Sequence, residues 1–151
     1  MTSLPLVLTG AVNWDHPEWR GSLYPEDLPD DWLLSYYNTQ FQAVYLPAAV
    51  WQVASDADWA QWLQDTQDGF CFVLEPGGAA AVPPASPRIL LAMPAWSAEH
   101  VWWLDEAPDL RILAQRITQQ AGTGGPLFVI SRSANLGLLE RVNTLRQVMG
   151  Y

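Results

Sequence analysis

Apolar residues along this chain fall into short unbroken runs, separated by stretches in which they return every third or fourth position. That is the pattern of strands alternating with helices. The first run is Leu6-Val7-Leu8-Thr9, closed by Gly10. Behind Pro29-Asp30-Asp31, whose acids suit a first helical turn, Trp32, Leu33, Tyr36 and Tyr37 recur at helical spacing through Asn38. Ala43-Val44-Tyr45-Leu46 is the second strand. A helix is predicted over Asp56 to Gln67, capped by Ser55, apolar at Trp59, Trp62 and Leu63, and stopped by Gly69. Phe70 to Leu74 is continuously apolar, as a strand covered on both faces would be. Arg88 to Met93 is the fourth strand, stopped by Pro94, and Ser97 is predicted to cap a short helix running through Val101 and Leu104. Leu110, Leu113, Ala114, Ile117 and Ala121 mark a longer helix from near Pro108, closed by Gly122, Gly124 and Gly125. Leu127 to Ile130 is the fifth strand. A terminal helix from about Ala134 to Met149 carries Leu138, Leu139, Val142, Leu145 and Met149 on one side and stops at Gly150. Only Glu75 to Pro87, rich in Gly, Ala and Pro, shows neither pattern, and it is expected to be the weakest-ordered stretch.

Short apolar strands alternating with helices call for a parallel sheet with right-handed crossovers. A closed eight-unit barrel takes ~250 residues, and at ~30 residues per unit a chain of 151 holds about five. The expected fold is therefore α/β: a reduced or partial (β/α) TIM-barrel-like domain with about five mostly parallel strands, in a single domain over 1–151.

Composition narrows the partners. Half the residues are hydrophobic and 15% are charged, against roughly 25% charged in an ordinary soluble domain. Sixteen acids face seven arginines and no lysine, for a net charge of −9. No basic stripe is available for phosphate backbones or anionic lipid, so neither nucleic acid nor membrane is expected as a partner. Cys71 is the single cysteine. With no leader-like amino terminus and no long apolar segment, the expectation is a cytoplasmic protein.

The stretch from Gly10 to Pro25 concentrates aromatics, an arginine and Gly/Pro punctuation directly behind the first strand, which is where strand-helix folds keep their sites. Gly10, Trp14, Trp19-Arg20-Gly21, Leu23-Tyr24-Pro25, Trp32-Leu33, Tyr36-Tyr37, Phe41 and Val44 together resemble the opening of the YecE-like family, the domain of unknown function 72 proteins. The chain looks like a shortened and divergent member. Pro108 to Gly150 is more weakly similar to the family's closing helix, strand and helix, and Ile89 to Trp96 to a middle strand. The resemblance implies a fold related to the (β/α) barrel and no established activity. It also brings out departures: Asn13 stands where the family pattern has glycine, His16 where it has an aromatic, and Tyr45, Leu46 and Pro47 where it shows an acid and then asparagine. The family's arginine-histidine element on a middle strand has no clear counterpart. If the family's chemistry depends on those polar groups, this chain has lost it.

Outside the carboxyl ends of the strands, Asn13, Trp14, His16, Trp19, Arg20, Tyr24, Tyr45, Trp96, Arg132 and Asn135 would offer stacking faces and forked donors for a small anionic ligand. The competing reading closes the sheet top with these aromatics and pairs Arg20 with Asp15 or Glu18. His16 is the one candidate for acid-base chemistry. Neither Asp15-His16-Glu18 nor Glu99-His100 has metal-ligand spacing, so no metal and no cofactor is expected. Cys71, flanked by Phe70 and Phe72, reads as an inert packing residue. Trp102 and Trp103, adjacent on the predicted helix, could not face the same way, which places one of them on an exposed or intersubunit side. With few surface charges and unpaired sheet edges, a homodimer is expected. The functional expectation is a non-catalytic small-ligand-binding or protein-interaction domain with its site at the strand ends. The alternative is a hydrolase-type enzyme acting on a small anionic or sugar-like substrate.

Overall fold

A computed structural model of the chain describes residues 5–77 and 82–151. Among the described residues six strands form one sheet: β1 (Val7–Val12), β2 (Ala43–Leu46), β3 (Cys71–Leu74), β4 (Ile89–Leu91), β5 (Val101–Trp103) and β6 (Leu127–Ser131). Every pairing is parallel, and the order across the sheet is β4-β3-β2-β1-β6-β5. Followed from β5, the strands run 5-6-1-2-3-4, the cyclic succession of a barrel in which the last strand pairs with the first. The sheet curls into a half-barrel, open between β4 and β5. Same-handed crossovers that step in one direction leave their helices on one face, and the connection from β4 to β5 instead carries its helix across the open side.

Those helices are α1 (Leu33–Gln40), α2 (Ala48–Trp51), α3 (Asp56–Asp65), α4 (Pro94–His100), α5 (Leu110–Thr123) and α6 (Leu136–Met149). Their ends follow local chemistry. Ser55 and Asp58 close a reciprocal capping box on α3, and the Asp109 and Asn135 side chains cap α5 and α6. Gly124 and Gly150 end α5 and α6 in the left-handed conformation. Residues 75–77 and 82–86, part of the expected irregular linker, carry no helix or strand; 78–81 lie outside the described residues.

The sixth strand corrects the expected count of five and the expected helix through Val101 and Leu104. The helix stops at His100, and Val101 turns extended with φ −120° and ψ 126°. Val-Trp-Trp is β-prone, and its preference wins over the helical spacing of Val101 and Leu104. The two tryptophans do point opposite ways, but through the two-residue period of a strand. Trp102 packs on the helix side and donates its indole N–H to the Ala107 carbonyl at 3.2 Å, while Trp103 packs on the concave side. Both are partly buried within the chain, so neither supplies the exposed tryptophan that the expectation of a dimer drew on.

Alternation along the strands divides the core. Val7, Ala11, Val44, Leu46, Phe72, Leu74, Leu127 and Val129 face the helices, while Leu8, Ala43, Tyr45, Cys71, Val73, Phe128 and Ile130 line the concave face. α4 joins the two edge strands and must therefore cross the open side. Its Trp96 meets Phe128 at 5.6 Å between ring centroids, on the concave face.

One side chain is spliced into the sheet itself. The Tyr37 hydroxyl accepts the Ala11 N–H at 2.8 Å and donates to the Ala43 carbonyl at 2.7 Å, bridging β1 and β2 from α1. Gly10 is required beside it, because a Cβ there would lie 1.9 Å from the Ala43 oxygen.

Candidate functional site

The loop after β1 is set by Asn13, whose φ of +63° turns the chain out of the strand while its N–H still reaches the Tyr45 carbonyl at 3.0 Å. Asparagine is among the few residues that tolerate this conformation, so it does the backbone work of the glycine that the resemblance leads one to expect. Beyond it the side chains hold one another. The Tyr24 hydroxyl donates to the Trp14 carbonyl at 2.5 Å, and burial pushes its phenol well above the ordinary tyrosine value. Trp19, 2% exposed, donates its indole N–H to the Ala134 carbonyl at 3.3 Å and lies parallel to Tyr37. His16 Nε2 sits 2.7 Å from the Val12 carbonyl and 3.2 Å from that of Asn13, so Nε2 carries the proton. Its Nδ1 is 3.6 Å from Glu18. Arg20 donates to the Leu28 and Glu26 carbonyls at 2.8 and 3.2 Å and pairs with Asp30 at 2.6 Å, rather than with Asp15 or Glu18.

At the ends of the other strands the polar groups are similarly occupied. Asp105, after β5, accepts the N–H groups of Arg132 and Ser133 at 2.9 and 2.7 Å, filling the turn after β6 with an internal carboxylate. Burial alone would raise its pKa. The bonds from Ser133, Ser131 and Arg132 outweigh that and hold it below the ordinary aspartate value. Glu75 accepts the Ala48 N–H at 3.0 Å. The Arg132 guanidinium lies 3.9 Å over the Trp103 ring, and Tyr45 meets the same indole edge-on at 4.9 Å. Tyr45 titrates above its ordinary value, first through burial and then through Glu75, with Arg132 opposing.

Free concave surface appears on the flank of this loop, along the seam of α1 and α3. Three hollows of about 370, 410 and 500 Å³ succeed one another there. The first shares Trp14 and Asp30 with the second; the second shares Asp31, Gln61 and Asp65 with the third. Trp14 stands edge-to-face with Trp62 at 5.1 Å. Trp32 lines the third hollow and is 62% exposed.

The ten residues named from sequence thus separate into three places. Asn13, Trp14, His16, Trp19, Arg20 and Tyr24 are gathered in the β1 loop, and Asn135 caps α6 next to Ala134, which that loop touches. Tyr45 and Arg132 meet over Trp103 on the concave side. Trp96 is apart from both, against Phe128 and His100. Asp105 and the aspartates of the seam were not anticipated. Asp58, Gln61, Trp62 and Asp65 do share a helical face by spacing, which is the signal that could have found half of the seam. Among the described residues no group of three His, Cys, Asp or Glu could hold a metal ion, and no helix is long and apolar enough to cross a membrane.

Fold and site together define a parallel α/β half-barrel whose first strand delivers a tryptophan-rich loop to the carboxyl ends of the sheet. Residues 8–76, from β1 to just past the end of β3, match the family model described as Protein of unknown function DUF72. The weaker parallels over Ile89 to Trp96 and Pro108 to Gly150 fall outside the matched residues. A DUF72 family protein from Thermotoga maritima MSB8 is similar in structure at a TM-score of 0.41 and 20% identity, over 79% of this chain and 39% of that one. The chain therefore spans less than half the length of that protein. No curated protein matches.

Proposed function

We propose that this chain is a non-catalytic binding domain for a small ligand, with its site on the Trp14 loop at the carboxyl ends of the strands. The observation that carries this reading is the use of the polar side chains there. His16 Nε2 is bonded to backbone carbonyls, Arg20 to two carbonyls and Asp30, and Asp105 and Glu75 to backbone N–H groups. General acid-base chemistry needs a donor and an acceptor free to face a substrate, and this rim offers aromatic walls instead. The nine indole N–H groups provide the test. A two-dimensional NMR fragment screen should move the Trp14 and Trp62 signals, each assigned by its Trp→Phe variant, before any others. Hydrolysis of a screening substrate that disappears in His16→Ala would replace this reading with the enzymatic one.

A further inference from the structure

We infer that the trough along the α1–α3 seam takes a linear organic polycation, a di- or polyammonium compound, which specifies the ligand of the binding site proposed above and rests on that reading. Three features of the seam converge on this ligand class. Its length comes from the succession of hollows through shared residues, from Trp14 and Asp30 at the β1 loop to Trp32 and Tyr36 on the flank of α1. Its walls are aromatic along the whole run, and the face of an indole attracts an ammonium or alkylammonium group. Trp32 stands 62% exposed at the far end, a large aromatic surface left open by the described residues.

Its charge is predominantly negative, with Asp15, Asp30, Asp31, Asp58 and Asp65 along it against Arg20. Asp31, Asp58 and Asp65 line the central hollow, and among the described residues none of the three is in an ion pair. Asp30 is matched by Arg20, whose guanidinium gives three of its five N–H donors to Asp30 and two carbonyls. The carboxylates are spread along the trough, and no three of them converge as a metal site requires. Spaced anions between aromatic walls match a ligand whose positive charges are themselves spaced along an apolar chain. A strongly hydrated divalent cation would gain little from the indoles, and a phosphate or carboxylate would meet net repulsion from the aspartates. The turn after β6, whose adjacent Arg132 and Ser133 N–H groups suit an anion, is already filled by Asp105.

Isothermal titration of the whole chain with spermidine tests this, beside inorganic phosphate, glucose and magnesium ion as separate arms. Spermidine should bind, and the double variant Asp31→Asn/Asp65→Asn and the single variant Trp32→Ala should each weaken it about tenfold or more. Neither change removes a group that holds the fold, and a thermal melt verifies that each variant is folded. Raising salt from about 0.02 to 0.3 M should weaken binding further, while the remote double variant Glu106→Gln/Glu140→Gln should leave it unchanged. The inference is overturned if spermidine does not bind, if the seam variants bind as well as the parent, if the remote variant loses as much as they do, or if magnesium ion displaces spermidine at equal concentration. Phosphate or glucose binding that shifts the Trp14 indole would overturn the polycation and leave the binding domain standing. No ligand of any class shifting Trp14 or Trp62 would remove both.

Discussion

Replacing Tyr37 by phenylalanine removes one oxygen atom and two hydrogen bonds from the middle of the sheet. The hydroxyl is completely buried, and it is both the acceptor for Ala11 N–H and the donor to the Ala43 carbonyl. Stranding a buried donor or acceptor costs about 1–3 kcal/mol each, so the gross loss is roughly 2–6 kcal/mol. Part is recoverable, since Ala11 N–H and the Ala43 oxygen could pair directly if β1 and β2 closed on each other. Closure is resisted by Gly10, already so near the Ala43 oxygen that it has no room for a Cβ, and by the stacked Trp19 ring and the tilted Phe41 ring around the phenol. A net loss of about 2–4 kcal/mol remains, and at roughly 2–4 °C per kcal/mol for a chain of this size the melting temperature should fall by roughly 4–16 °C. Thermal denaturation followed by circular dichroism, with urea titration to check that the m-value is unchanged, measures it. A Tyr37→Phe protein within about 0.5 kcal/mol of the parent would refute the claim that this hydroxyl is part of the β1–β2 ladder.

Two further outcomes follow from groups whose titration is tied to the fold. Burial raises the Cys71 thiol from 9.0 to about 11, with Arg88 opposing, and raises Tyr24 and Tyr37 beyond it. The native state therefore holds these protons more tightly than the unfolded chain, so stability is complete below about pH 9 and falls as pH rises; Cys71→Ala should flatten the pH 9–11 part of the curve, and an equal slope in both proteins would refute it. Asp105 is shifted the other way, so its contribution is present above the ordinary aspartate pKa and is lost as pH falls through the lower folded value. Asp105→Ala should cost about 1–3 kcal/mol at neutral pH by stranding the Arg132 and Ser133 N–H groups, with the difference from the parent shrinking in acid; a pH-independent difference would assign the loss to packing.

What could be read from sequence was local. Ser55, Gly124 and Gly150 end their helices through bonds and backbone angles that involve only near neighbours, and each is found in the expected role. Cys71 between two phenylalanines is buried as its neighbours implied. The parallel sheet followed from alternation of runs and rhythms. Val101 to Trp103 was misread because three residues are too few to express a period, and Ser97 ahead of them looked like a cap; it lies inside α4, and its hydroxyl donates to the carbonyl of Ala92, just before that helix. The site was harder, for a different reason. Asp105 meets its partners 27 and 28 residues away, and the seam joins Trp14 and Asp31 to Asp58 and Trp62 across α1, β2 and α2. No spacing rule reaches that far, because crossovers and not helical turns determine which residues become neighbours.

The strand order explains why a sheet with a barrel's succession can stand without its closing strands. A half-barrel exposes its concave face, and here that face is lined by Leu8, Val73, Phe128 and Ile130, all without solvent contact. Curling brings the two ends of the sheet toward each other, so that Tyr45 on β2 reaches Trp103 on β5 although β1 and β6 lie between them. The remaining gap is where the chain itself must pass, since β4 and β5 are consecutive in sequence and opposite in the sheet. α4 makes that passage with Trp96 turned onto Phe128, and His100 fastens its end to the Pro126 carbonyl at 2.7 Å, just before β6. The crossing helix thus covers the apolar surface that further strands of a barrel would cover. It also lies against the inside of the curl, while the hollows that border the Trp14 loop lie on the outer side, along the seam of α1 and α3.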